Sequence, residues 1–78
     1  MAIRKHYHAD RPTHDIWLYE NAGQWQVRER IGGPSGNSRY RPFASGELAE
    51  TFARSLMNKS AATAWRELPV DQTAEPQA

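Results

Sequence analysis

Four arginines between Gln26 and Phe43 are the side chains with the clearest chemistry in this chain. The segment reads QVRERIGGPSGNSRYRPF, and Glu29 is its only acidic residue. A guanidinium group binds phosphates and carboxylates through paired hydrogen bonds. The segment therefore predicts a surface for an anionic partner, formed by Arg28, Arg30, Arg39 and Arg41.

Alternating side chains in QWQVRERI predict a strand that presents two of these arginines on one face. Val27 and Ile31 share the face that is expected to pack in the core. Arg28 and Arg30 share the opposite face, which should therefore lie away from any helix that covers the sheet.

The other two arginines lie in a neighbouring predicted strand. The segment SRYRPF places Arg39 and Arg41 on the same side, and GGPSGN connects the two strands. We expect all four arginines to line one surface of the sheet, with Tyr40 and Gln26 as supporting contacts.

Three further segments predict strands, and one predicts a helix. IRKHYH and DIWLYE alternate as strands do, NAG offers a hairpin turn, and TAWREL predicts a short last strand. DIWLYE is apolar on both faces, which indicates a central strand. Ser45 is a typical N-cap, and apolar residues then follow helical spacing as far as Lys59.

This order of elements predicts an α+β fold. We expect a twisted antiparallel sheet of four to five strands with one amphipathic helix packed on one face. Residues 1–68 should form a single domain, and the polar tail 69–78 should be disordered. Most of the three tryptophans are expected to pack in the core or to be half-buried, whereas Tyr19 and Tyr40 are expected to be exposed.

The composition excludes several classes of protein. Ten Lys and Arg against nine acids give a formal net charge of +1, short of the basic balance of dedicated DNA-binding domains. The chain lacks cysteine, which excludes disulfides and thiolate metal sites. No apolar run approaches the length of about 18 residues that would predict a membrane helix, and the charged start is unlike a signal peptide. We expect a cytoplasmic protein with no membrane partner.

Histidines raise the question of a metal. In IRKHYH, alternation places Ile3, Lys5 and Tyr7 on one side and both His6 and His8 on the other. Neutral imidazoles bind zinc, but no third ligand has a supporting spacing in the sequence, so we predict no metal and no other cofactor. His14 is expected to make a local hydrogen bond. We also predict no enzymatic activity, because no Ser–His–acid set has a recognisable context.

Ordered features between residues 3 and 68 resemble the WGR domain, a small module of poly(ADP-ribose) polymerases and of small bacterial proteins. HDIWLY is similar to the family's first core strand, which has a histidine followed by aromatic residues. RERIGGPSGNSRYRPFAS resembles the segment that begins with the family's Trp-Gly-Arg motif, and GELAETFARSLMNK resembles its helix. AWREL lies where an aromatic strand closes the family's fold.

The resemblance departs from the family at the motif itself. Arg28 stands where the family has Trp and Glu29 where it has Gly, whereas Arg30, Ile31 and Gly32 match. In the polymerases the Trp stacks on DNA ends and the Arg lies near phosphate. The resemblance therefore implies a phosphate-binding role for Arg30 and no stacking role at position 28.

These patterns favour a small non-enzymatic module that binds nucleic acid weakly, through the DNA phosphate backbone. The alternative function is a protein–protein adaptor or inhibitor, encoded on a mobile element, whose arginine face meets an acidic protein surface. A third interpretation is that the arginines only solvate the sheet and pair with acids such as Asp15, Glu20 or Glu29. No oligomeric state is predicted.

Overall fold

Five strands form one antiparallel sheet in the computed structural model, which describes residues 2–70. The elements in chain order are β1 Ala2–Asp10, β2 Thr13–Asn21, β3 Gln24–Ile31, β4 Asn37–Phe43, α1 Gly46–Lys59 and β5 Arg66–Leu68. The strands lie side by side in the order β4-β3-β2-β1-β5, so β2 is central and β4 and β5 are the edges. The predicted α+β fold, with one helix packed on the sheet, is confirmed.

Helix α1 begins and ends where its capping residues predict. The Ser45 side chain accepts a hydrogen bond from the Leu48 N–H at 3.2 Å, and Lys59 stands in the last turn. Ala49 and Ala53 are fully buried against the sheet, since small residues allow close contact. No helix within residues 2–70 has the length and apolar character needed to cross a membrane.

The main core lies between α1 and the sheet. Ile16, Leu18 and Val27 are its most deeply buried large side chains. The Trp25 ring covers one end, beside the start of the helix. A Cβ on Gly46 would lie 2.8 Å from Trp25 Cζ2, so a larger residue at this first helical position would require the Trp25 ring to shift.

Strand β1 contains a bulge that changes the predicted alternation. The register shifts between Ile3 and Lys5, so Ile3 faces away from the helix, while Tyr7 packs in the main core. The prediction that Ile3 shares a face with Lys5 and Tyr7 is therefore wrong. An extra residue in one strand of an antiparallel pair reverses the facing of everything before it.

A second, smaller cluster lies on the sheet face opposite α1, which we call the open face. Ile3, Trp17 and Tyr19 are buried there, and Val70 packs against them. The prediction that Tyr19 is exposed is wrong, because the β1 bulge brings Ile3 across from it. Val70 belongs to the segment predicted to be a disordered tail, and residues 71–78 of that segment lie outside the described residues.

Candidate functional site

The strand register arranges the open face in two parallel rows of side chains. One row, which we call the stacked row, crosses β1 to β4 through His6, Trp17, Arg28 and Tyr40. The next, which we call the charged row, crosses the same strands through His8, Asp15, Arg30 and Ser38. Directly opposed residues on one face of a sheet are close enough to interact.

Aromatic rings and a guanidinium hold the stacked row together. The His6 ring stacks on Trp17 with centroids 4.7 Å apart and planes 21° from parallel. Arg28 Cζ lies 4.6 Å from the Trp17 ring centroid and 5.7 Å from that of Tyr40. Such contacts fix the guanidinium in position without neutralising it. Tyr40, at the sheet edge, remains 52% exposed.

Arg28 is buried, with 7% of its surface exposed, yet no carboxylate in residues 2–70 forms an ion pair with it. Its Nε donates to Ser38 Oγ at 3.2 Å, and its Nη1 donates to Tyr19 Oη at 3.5 Å. A buried positive charge normally has a negative partner because desolvation is costly. Arg28 is therefore a cation that the described part of the chain positions but does not neutralise.

The charged row converges on Asp15, whose side chain is only 4% exposed. His8 Nδ1 and His6 Nε2 lie 2.6 and 2.8 Å from Asp15 Oδ1. Arg30 Nη2 lies 3.4 Å from the other oxygen, Oδ2, and Arg30 Cζ stands 4.9 Å from the Trp17 centroid. Arg30 therefore has an ion-pair partner in Asp15, and the Trp17 ring lies against the flat face of its guanidinium.

These contacts shift the pKa values of the row. Burial lowers the pKa of His6 below its ordinary value, and the hydrogen bond with Asp15 offsets this only in part. Hydrogen bonds with Asp15 and Asp10 raise the pKa of His8. Burial opposes ionisation of Asp15, but hydrogen bonds from His8 and His6 outweigh it and lower its pKa. At neutral pH Asp15 is ionised and His6 is neutral.

The four arginines predicted to share one surface lie on two. Arg28 and Arg30 are on the open face, as expected. In the β3–β4 register, however, Arg39 lies directly opposite Glu29 and Arg41 directly opposite Val27, two residues on the other face of β3. Arg39 and Arg41 therefore point toward the helix side, and the predicted convergence of all four is wrong.

Turn geometry explains this split. Gly32 and Gly33 have φ values of +100° and +75°, and the connection closes so that Ile31 pairs with Asn37. A change of one residue in the connection would exchange the two faces of β4, because side chains alternate with a period of two. The sequence predicts which side chains of one strand share a face. It does not predict the register between β3 and β4 that this turn sets.

Arg39 and Arg41 are exposed on the rim of a groove between β4 and α1. Arg41 Cζ lies 5.1 Å from the Phe52 ring centroid, and the groove has a volume of about 210 Å³. On the other side of the same edge, Gln26 is half-buried opposite Tyr19 and Pro42. Arg28, Tyr40 and Gln26 thus lie on the open face of the β3–β4 ladder, whereas Arg39 and Arg41 lie on the side that faces the helix.

Ion pairs divide the basic residues into two groups. Five of them form ion pairs with carboxylates of residues 2–70: Arg4 with Glu20, Lys5 and Arg54 with Glu50, Arg30 with Asp15, and Arg66 with Asp10. Within residues 2–70 no ion pair engages Arg11, Arg28, Arg39, Arg41 or Lys59. Three of these five lie on adjacent strands at the β4 edge, so unneutralised positive charge is concentrated there.

A serine–histidine–glutamate array that the sequence did not indicate surrounds the buried His14 on the helix side of the sheet. His14 Nδ1 lies 2.8 Å from Ser60 Oγ, and His14 Nε2 lies 2.7 Å from Glu29 Oε2. The hydrogen bonds of His14 therefore reach across the fold, and the prediction of a local bond is wrong. Ser60 caps the C-terminus of α1, where the helix dipole is negative and disfavours an oxyanion. The array therefore provides hydrogen-bond partners for both ring nitrogens of a buried histidine.

Comparisons with protein-family models, with curated proteins and with solved structures find no match to this chain. The resemblance to the WGR domain therefore stays a prediction.

Proposed function

We propose that this protein is a small non-enzymatic module that binds single-stranded DNA weakly along the β4 edge. One observation carries the proposal. Three arginines without an ion-pair partner in residues 2–70, Arg28, Arg39 and Arg41, surround an exposed tyrosine, Tyr40, on the same edge. The cytoplasmic location expected from the sequence is compatible with such a ligand.

The proposed contacts use two kinds of interaction. Arg39 and Arg41 stand on one side of the β4 edge and Arg28 on the other, so a phosphate backbone that follows the edge meets positive charge on both sides. Tyr40 presents an aromatic ring to solvent, and any unpaired base can stack on it. These contacts read neither base edges nor strand ends, so binding should tolerate changes of sequence.

Arg30 has a different role in this proposal from the one that the WGR resemblance implies. Asp15 already neutralises its charge, and Trp17 covers its face. We assign to Arg30 the positioning of Asp15 and Trp17, and we assign phosphate contact to Arg28, Arg39 and Arg41.

Fluorescence anisotropy with a labelled oligothymidylate of about 12 nucleotides tests this function. The variant Arg39→Gln/Arg41→Gln removes two proposed phosphate contacts. The slope of log K against log salt concentration should become shallower by about 1.4, since each contact with a single strand contributes about 0.7. Tyr40→Ala should weaken binding by about 1–3 kcal/mol, the value of one base–aromatic stack.

The matched control is Arg54→Gln/Arg66→Gln. It removes the same number of exposed arginines, but both are paired with carboxylates. Binding by the control should equal that of the wild type. If the control weakens binding as much as the β4 variant does, net charge rather than the β4 edge is responsible and the proposal fails.

An acidic protein segment is the second candidate ligand, because β4 is an edge strand. An edge strand has unpaired backbone groups that can add a strand from a partner, and basic flanking side chains favour an acidic one. This adaptor or inhibitor function predicts a stoichiometric protein partner that survives nuclease treatment in a pull-down. It also predicts no binding of the oligonucleotide.

A further inference from the structure

Three potential metal ligands converge at the β1–β2 end of the open face. His6 Nε2, His8 Nδ1 and Asp15 Oδ1 all lie within 4.8 Å of one another. Both ring nitrogens point at the same carboxylate oxygen, at 2.8 and 2.6 Å. We infer that His6, His8 and Asp15 form a binding site for a divalent transition-metal ion, for which zinc is the best fit. The inference goes beyond the proposed function and uses none of its contact residues.

The sheet positions these ligands before any ion arrives. His6 and His8 are two residues apart on β1 and therefore share a face, and Asp15 is the direct partner of His8 on β2. Stacking on Trp17 holds the His6 ring. Ligands carried on paired strands and fixed by packing lose little freedom on binding.

The surrounding contacts match those that support metal ligands in proteins. His8 would ligate through Nδ1 while its other nitrogen, Nε2, donates to Asp10 Oδ1 at 2.7 Å. This carboxylate–histidine arrangement orients the ring and raises its basicity. Arg30 bonds the second oxygen of Asp15 at 3.4 Å, which leaves Oδ1 directed toward the two histidines.

The ligand atoms must shift before they fit a tetrahedral zinc ion. In a tetrahedral zinc site with bonds of about 2.0–2.1 Å, neighbouring ligand atoms are about 3.3 Å apart. The two nitrogens must therefore move away from Asp15 Oδ1 by about 0.5–0.7 Å. They lie up to 4.8 Å apart, so they must also approach each other by as much as about 1.5 Å, through rotation of both side chains. Two imidazoles and one carboxylate suit zinc, and three protein ligands leave a fourth position for water.

Zinc titration of the untagged protein, followed by NMR of the histidine side chains, tests the site. One equivalent of zinc should shift the ring resonances of His6 and His8. His14 should not respond, because its nitrogens face Ser60 and Glu29 on the other side of the sheet. His14 is thus a control within the same molecule. Zinc that shifts His14 equally, or no shift in any histidine at millimolar zinc, would overturn the inference.

Variants measured by calorimetry complete the test. Asp10→Asn changes an exposed carboxylate that supports His8, and it should weaken zinc binding by about 10–100-fold. Glu67→Gln is the matched control, since it removes an equal charge from an exposed position on the helix side of the sheet and should leave affinity unchanged. His8→Ala, checked for folding by circular dichroism, should lose at least tenfold in affinity. Equal zinc affinity in Asp10→Asn, His8→Ala and wild type would also overturn the inference.

Discussion

Arg28 and Arg30 are two residues apart on the same face of β3, yet they differ in how their charges are used. Both guanidiniums lie over the Trp17 ring, at 4.6 and 4.9 Å. Arg30 has a carboxylate partner in Asp15, and Arg28 has none within residues 2–70. The more deeply buried of the two arginines is the one without an ion pair. Burial alone therefore does not indicate which of the two arginines has a carboxylate partner within residues 2–70.

The difference comes from the residue across the ladder on β2. In the β2–β3 register, Asp15 lies directly opposite Arg30, and Trp17 lies directly opposite Arg28. A carboxylate neutralises the guanidinium beside it, whereas an aromatic ring holds the guanidinium and leaves its charge in place. The alternation of aspartate and tryptophan on β2 thus divides two equivalent arginines into a structural one and a candidate binding one.

Removal of the Asp15 carboxylate, which distinguishes Arg30 from Arg28, should produce the largest change in stability. Asp15→Ala leaves Arg30 without its partner and removes the acceptor for His6 and His8. We expect the free energy of unfolding to fall by about 3 kcal/mol, the lower end for a broken buried pair because Arg30 keeps some exposure. Urea denaturation measures the change. Asp10→Ala, which removes an exposed partner of His8, is the control and should leave the urea midpoint within error of the wild type.

Most of the fold was predictable because it rests on local patterns. The apolar alternation of DIWLYE identified β2 as central, and the Ser45 cap and helical spacing located α1. The bulge after Ile3 could not be read, since nothing in IRKHYH marks an extra residue. It reversed the facing of Ile3 and made Tyr19 a buried residue.

The candidate sites were less predictable, because they depend on register between strands. Alternation placed His6 and His8 on one face, but Asp15 joins them as a third potential ligand only through its position opposite His8 on β2. The same limit applies to Arg39 and Arg41, whose facing was decided by the closure of the glycine turn. Contacts that link distant segments, such as His14 with Ser60, left no spacing in the sequence to recognise.

The variants Arg28→Met and Arg30→Met should differ in DNA binding. We expect this difference to be smaller than the effect of removing Asp15 and larger than that of removing the Arg66–Asp10 pair. Methionine retains apolar packing against Trp17 but removes the charge. Arg28→Met should make the salt slope shallower by about 0.7, the contribution of one phosphate contact with a single strand. Arg30→Met should leave the slope unchanged, because Asp15 already neutralises that arginine. Anisotropy at several salt concentrations measures both, and the reverse ranking would assign the phosphate contact to Arg30, as the WGR resemblance implies.

The smallest effect on stability is expected when the exposed Arg66–Asp10 pair is removed. The separation in this pair is the same as in the Arg30–Asp15 pair. Arg66 Nη2 lies 3.4 Å from Asp10 Oδ2, as Arg30 Nη2 does from Asp15 Oδ2, but both members of the Arg66 pair are more than half exposed. Water and salt screen an exposed pair, and its side chains lose entropy when they are held together. A double-mutant cycle on Arg66→Gln and Asp10→Asn should therefore show no measurable coupling in thermal unfolding. The equivalent cycle on Arg30→Gln and Asp15→Asn should show clear coupling. Equal coupling in the two cycles would mean that distance rather than burial governs these pairs, and the distinction drawn between Arg30 and the exposed arginines would lose its physical basis.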